Sequence, residues 1–189
     1  MLGPIRESLS AAHTWISDTL WPQQEVLMMG DSGGGKTTAL YRLIFGKEVA
    51  TLPTYVYNVE SLTIQGVRFK VLDFGGQMGS FWRHYVSVRT AGIIWMVDST
   101  NEDELETLRT DPWRVLWDYN RVSKETVLLV FANHQDRLNA LSVVEVKDKL
   151  ELETRARGRR WHIQGSSATT GEGLVEGMEW MATQLSKAR

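Results

Sequence analysis

The chain of 189 residues contains no cysteine. Disulfide frameworks, cysteine-bound zinc and thiol catalysis are therefore excluded together. No apolar run approaches the ~18 residues of a membrane span, and no signal-peptide pattern is present. The expectation is a cytosolic protein that at most touches a membrane from that side. Net charge is also small, at -2, with an isoelectric point near 6.1. That leaves no electrostatic case for nucleic acid, which would call for a basic face or a strongly basic total. The basic stretch from Arg155 to Arg160 is short and reads as a solvated turn. Internal repeats and low-complexity linkers are missing too. What remains is 42% hydrophobic content, enough at this length for one well-buried core and too little for two.

Against those absences stands Gly30-Asp31-Ser32-Gly33-Gly34-Gly35-Lys36-Thr37-Thr38, which follows the apolar run Val26-Leu27-Met28-Met29. It fits G-x-x-x-x-G-K-[ST], a strand feeding a glycine loop that opens a helix. A triphosphate carries several negative charges, and backbone amides with a helix N-terminus surround it only where no side chain intrudes. Glycine at four of six positions gives that access. Asp31, Ser32, Gly33, Gly34, Gly35, Lys36, Thr37 and Thr38 are the candidate phosphate-side contacts. Among them Lys36 supplies a point charge at the outer phosphates, and the Thr37 hydroxyl supplies one ligand to Mg²⁺. The bland alternative is a glycine turn before a helix.

Strand signals at 25–29, 55–64, 67–72, 92–97, 126–132 and 160–164 alternate with helical segments. This predicts an α/β domain over 24–189, a six-stranded, mostly parallel sheet with helices on both faces, of the P-loop NTPase type. Only Gln65-Gly66 joins the second and third runs, too short for a crossover, so they form an antiparallel hairpin and the sheet is mixed. Helices are expected at 36–45, 80–87, 102–120, 142–151 and 171–187. Ser142 and Glu145 fit a capping box, and Pro112 after Asp111 suits a fresh helix start. In the last helix Leu174, Met178, Met181 and Leu185 form one core-facing stripe.

Later motifs specify the nucleotide. Asp73-Phe74-Gly75-Gly76-Gln77 follows the run 69–72, so the Asp73 carboxylate emerges at a strand end where it can hold Mg²⁺ through water. The Gly76 amide can then reach a terminal phosphate, and Gln77 can orient an attacking water. Asn133-His134-Gln135-Asp136 follows another strand. An Asn-x-x-Asp there suits guanine, because a carboxylate accepts its ring imino and exocyclic amino protons as a pair that adenine lacks; taken alone it also fits an ordinary Asx turn. Ser167-Ala168-Thr169 follows the last strand and can turn the Ala168 amide towards the guanine carbonyl. Four motifs in order, each at a strand's C-terminal end, form a strong constellation.

In these residues the chain resembles the Ras superfamily, and within it the Arf and Arf-like family of small GTPases, over nearly all of residues 24 to 186. The more specific segments are DFGGQ, WRHY at Trp82 to Tyr85, VDS at Val97 to Ser99, LLVFAN before HQD, and SATTGEGLVEGMEW from Ser167. The resemblance implies a GTP/GDP switch served by an exchange factor, a GTPase-activating protein and effectors. It further implies that Lys36 contacts the outer phosphates, Thr37 and Thr54 ligate Mg²⁺, Asp73 stands behind the metal and Gln77 positions water. Thr54 would engage the metal only when the terminal phosphate is present.

Several positions depart from the Arf pattern. His134 replaces the family's usual basic residue, so the long stem over the base is missing, although an imidazole can stack there; guanine selectivity should survive with some loss of affinity. Ser32 is small enough to leave the terminal phosphate accessible. The segment between Gln77 and Trp82 is two residues short, which touches regulator recognition. The apolar triad shown to effectors maps to Tyr57, Leu72 and Tyr85, where the middle residue is usually Trp. Residues Leu2, Ile5, Leu9, Ala12, Ile16 and Leu20 project within a sector of ~80°, an amphipathic N-terminal helix over 1–23. It reads either as a nucleotide-dependent peripheral membrane contact through residues 2–20 or as a helix docked on the core. Gly3 stands one position late for myristoylation.

The leading expectation is a slow GTPase acting as a molecular switch in membrane traffic or organelle positioning, with Gln77 and Lys36 as the catalytic residues. No arginine is evidently placed to act in cis. The alternative is a GTP-dependent binding module with negligible hydrolysis, motivated by the shortening around Gly79-Ser80. A P-loop kinase is the third reading, and the guanine motifs count against it.

Overall fold

A computed structural model describes residues 23–30, 32–77, 84–103, 105 and 122–187. Strands β1 (Gln24–Gly30), β2 (Tyr57–Ile64), β3 (Val67–Phe74), β4 (Thr90–Asp98), β5 (Val127–Asn133) and β6 (Trp161–Gly165) form one sheet in the order β2-β3-β1-β4-β5-β6. Among the described residues only the β2–β3 pair is antiparallel, as the two-residue connection requires. The chain leaves β1 for one side of the sheet and later crosses to β4 on the other. The C-terminal end of β1 is therefore a switch point, where an open parallel sheet leaves a crevice for a ligand.

Burial explains the inner strands. β1 and β5 are continuous apolar runs because helices cover both faces, and every residue of β5 is buried. Alternate side chains feed two cores. Leu27, Met29, Leu72, Phe74, Ile93, Trp95, Leu128 and Val130 pack on one face. Val26, Met28, Phe69, Val71, Ile94, Met96, Leu129 and Phe131 pack on the other. Helix α1 (Lys36–Phe45) and helix α4 (Leu174–Ser186) cover this second face, and the predicted stripe Leu174, Met178, Met181 and Leu185 is buried there.

Helix boundaries follow local chemistry. The Ser142–Glu145 capping box is present and starts helix α2 (Val143–Lys149). The segment expected as one helix to residue 151 breaks sooner, because Glu151 takes a left-handed conformation at φ 51° before helix α3 (Leu152–Arg155). The last helix starts at Leu174, not at 171, because Gly171 and Gly173 both have positive φ. Tyr55 and Val56 form a bend, so β2 begins two residues later than expected. Of the helix expected at 80–87, residues 84 and 85 form a turn, 86 and 87 have no regular structure, and 80–83 lie outside the described residues. Residues 102, 103 and 105 are helical, and the rest of 102–120 lies outside, as does the N-terminal segment 1–22. Among the described residues no helix is long and apolar enough to cross a membrane.

Helix α4 lies so close to β5 that a Cβ on Gly177 would sit 2.5 Å from the Phe131 ring. Alanine would gain up to about 1 kcal/mol of helix propensity, against a cost of about 1–3 kcal/mol for overpacking a fully buried ring. Gly177→Ala should lower the urea midpoint, with a net loss of roughly 1 kcal/mol and an unchanged m-value. A stabilised variant would contradict this packing.

Candidate functional site

The loops at the C-terminal ends of β1, β3, β5 and β6 meet in one place. A cleft of about 390 Å³ is lined by Ser32, Gly33 and Gly35 through Thr38 on one side, Thr51 through Tyr55 on another, and Phe74 through Gln77 on a third. Gly35 adopts φ 86° as the N-cap of α1. A Cβ there would lie 2.4 Å from Asn133 Nδ2, so both the backbone conformation and the close approach require glycine. With no side chain capping them, the first amides of α1 are left to a ligand, and the helix dipole favours an anion. Lys36 is buried, and its Nζ donates to the Gly30 carbonyl at 2.8 Å.

Three oxygen-bearing side chains converge beside Lys36. The Thr37 hydroxyl donates to Asp73 Oδ2 at 2.6 Å and lies 3.1 Å from the Thr54 hydroxyl, which in turn accepts from Asn58 Nδ2 at 3.3 Å. Asp73 is fully buried, and its Oδ1 has no hydrogen-bond partner. Burial pushes its carboxyl above the ordinary aspartate value, while the Thr37 hydroxyl and the Lys36 charge pull the other way. A buried carboxylate with an unsatisfied oxygen, flanked by two hydroxyls and with no nitrogen or sulfur donor, fits a hard divalent cation such as Mg²⁺.

The segment that carries Thr54 lies directly on the strand end. A Cβ on Gly75 would fall 2.1 Å from the Thr54 carbonyl oxygen, and the Gly75 amide donates to Val56 at 2.9 Å. Gln77 is exposed at the cleft rim, one residue beyond Gly76. Asp31 lies outside the described residues.

The second half of the site is built on Asn133, which is fully buried. Its Nδ2 donates to the Gly34 carbonyl at 2.8 Å, and its Oδ1 accepts from the Ala168 amide at 2.9 Å and the Ser166 hydroxyl at 3.3 Å. The sequence pattern suggests a base contact at Asn133 and a free Ala168 amide. Here one side chain joins the phosphate loop to the loop after β6, and the Ala168 amide is shared with it. Asp136 is exposed, and its carboxyl is held below the ordinary value chiefly by a hydrogen bond from Ser167. Ser167 Oγ also accepts from the Thr170 amide at 3.0 Å, while Thr169 is exposed.

His134 is buried and reaches the phosphate loop. Its Nε2 lies 3.1 Å from the Gly33 carbonyl, which fixes the Nε2-protonated tautomer as the one that donates there, and 3.8 Å from Asp98 Oδ2. Gln135, unassigned by the motif, braces the same loop by donating to Ser99 Oγ and the Leu141 carbonyl, both at 3.0 Å. The triad positions differ as well. Tyr57 and Tyr85 meet edge to face at 5.2 Å, and each also packs on Phe74, at 5.7 and 5.0 Å, while Leu72 is buried. The aromatic ring between the tyrosines thus sits two residues further along β3 than the pattern places it.

Comparison with known proteins agrees with this architecture. A sequence model of the ADP-ribosylation factor family matches residues 15–185. The chain is also similar to a solved structure of the Arl6 BBS3 small GTPase from Trypanosoma brucei with bound nucleotide analogue GppNp. The identity is 26% and the TM-score 0.77, over 88% of this chain and 99% of that one.

Asn133→Ala would leave the Gly34 carbonyl and the Ala168 amide unpaired in a buried place, at about 1–3 kcal/mol for each group. The expected loss of stability is about 2–4 kcal/mol in urea unfolding, with faster hydrogen exchange at Ala168. A loss under about 1 kcal/mol would show that the amide is not the tie.

Proposed function

The chain belongs to the ADP-ribosylation factor family, and from that premise we propose that it is a slow GTPase whose nucleotide state controls a role in membrane traffic or organelle positioning. As a member it is a guanine-nucleotide-binding GTPase switch, regulated in general by exchange factors, activating proteins and effectors. The finer reading rests on one observation, the convergence of Lys36, Thr37, Thr54, Gly76 and Gln77 on a single cleft, with the buried Asp73 bonded to Thr37 behind them.

In that reading the amides of residues 32–37 and the Lys36 ammonium hold the phosphates. Thr37 and Thr54 would hold a Mg²⁺ ion, with Asp73 behind them, and that cation would supply charge neutralisation at the phosphates. Gln77 orients a water for in-line attack on the terminal phosphorus; the bond to the bridging oxygen breaks and GDP leaves with its electrons. His134 holds the phosphate loop through Gly33, and Asp136, whose carboxyl Ser167 holds below its ordinary value, accepts two hydrogen bonds from guanine. Ser167, Ala168 and Thr169 close over the base edge. Turnover is slow because, among the described residues, no arginine lines the cleft to offset transition-state charge. The amphipathic segment 1–23 precedes the GTP-binding domain 24–189 and contacts a membrane from the cytosolic side. The nucleotide analogue in the Arl6 relative supports the triphosphate reading.

The exposure of Gln77 favours one second reading, a GTP-dependent binding module with negligible hydrolysis. Single-turnover assays with Mg²⁺ separate the two. Gln77→Leu should reduce GTP hydrolysis at least about tenfold while leaving GTP affinity within about threefold. Equal rates in wild type and variant, with tight nucleotide retention, would favour the binding module.

Base reading has its own check. Asp136→Asn replaces two acceptors by an amide that can donate to a second ring carbonyl, so GDP affinity should fall about a hundredfold while the xanthine nucleotide gains. Unchanged GDP affinity would remove Asp136 from the base site.

A further inference from the structure

Arg42 lies along α1, beyond the residues whose amides and side chains line the cleft, and no motif includes it. Its guanidinium nevertheless reaches the far loop, where Nη2 donates to the Thr170 carbonyl at 2.6 Å across 128 positions of sequence. The following residue is shaped for that approach. Gly171 has φ 91°, and a Cβ there would lie 2.9 Å from Arg42 Nε and 3.4 Å from Arg42 Cγ. The loop has to be bare at this point for the guanidinium and its stem to seat.

The same short loop carries the groups that face the base. Ser167 holds Asp136, the Ala168 amide is shared with Asn133, and the Gly171 amide closes the turn onto the Ser167 carbonyl at 2.8 Å. Asn133 anchors one end of the loop from within the core, and Arg42 anchors the other from the half-exposed surface of α1. A charge-assisted hydrogen bond to a carbonyl is stronger than a neutral one, and a planar guanidinium loses little freedom in making it.

We propose that Arg42 is a positioning residue that holds the base-reading loop against the phosphate-binding helix and thereby sets how long a guanine nucleotide stays bound. It touches no ligand. It acts by keeping the 167–171 turn closed on α1, so that phosphate contacts and base contacts are released together. The proposal rests on the nucleotide reading above.

The test uses the full chain and compares release of two diphosphates, GDP and the 2-aminopurine riboside diphosphate, which lacks both the 6-carbonyl that the Ala168 amide would meet and the ring imino proton that Asp136 would accept. Arg42→Met keeps the stem over Gly171 but removes the donor; Arg42→Lys keeps one donor. Arg42→Met should release GDP about tenfold faster, the scale of one charge-assisted bond partly replaced by water. Its release of the 2-aminopurine analogue should stay within about twofold, and Arg42→Lys should release GDP within about threefold of wild type. Equal acceleration for both nucleotides would mean general loosening of the fold and overturns the proposal. If wild type favours GDP but Arg42→Met releases it at the wild-type rate, this proposal alone fails. If wild type does not distinguish the two nucleotides, the base reading fails and takes the proposal with it.

Discussion

The site depends first on a constraint imposed by one buried amide. Asn133 ends the wholly buried strand β5 and has no water to bond with, so its donor and its acceptor must both be satisfied by protein. They are met by the Gly34 carbonyl and the Ala168 amide, on loops that follow β1 and β6. Only a side chain with a donor and an acceptor fixed side by side can do this; an aspartate would repel the carbonyl and a leucine would orphan both groups. The tie also reaches back to glycine at position 35, where any Cβ would collide with the amide nitrogen. A backbone that follows the phosphates and a loop that follows the base are thus parts of one rigid unit, resting on two cores.

The opposite wall is more exposed. The Thr54 segment rests on Gly75 through a backbone hydrogen bond and a contact that tolerates no Cβ, and its residues 52, 53 and 55 are exposed. Asp73 couples it to the site: a buried carboxylate with one unsatisfied oxygen, bonded to Thr37 and close to Thr54, favours a cation that both hydroxyls can share. The tied cradle on one side and the Thr54 segment on the other thus meet at Thr37 and Asp73.

Much of this was legible in the sequence, for a physical reason. The sheet and its mixed edge follow from apolar runs and from Gln65-Gly66, both local features. The site motifs are legible because phosphate, divalent metal and guanine each restrict the residue types at a strand end. Contacts between residues far apart in sequence were not legible. The Asn-x-x-Asp spacing gives no sign that Asn133 spends both ends on loops 99 and 35 positions away. Nor does it show that His134 turns to Gly33, or that Arg42 crosses to Thr170. The break at Glu151 was missed because a glutamate at positive φ has no local signature. Phe74 went unremarked because its ring matters only once Tyr57 and Tyr85 are seen to pack on it.

The central claim is that base and phosphates are held by one tied cradle that reads guanine. The most direct measurement is equilibrium competition for the bound nucleotide in Mg²⁺, with GTP and ATP titrated against a fluorescent GDP analogue. The account predicts displacement by GTP and at least about a thousandfold weaker competition by ATP, since adenine leaves Asp136 and the Ala168 loop without partners. Comparable displacement by the two would contradict it, leaving a phosphate-binding loop with no reader for the base.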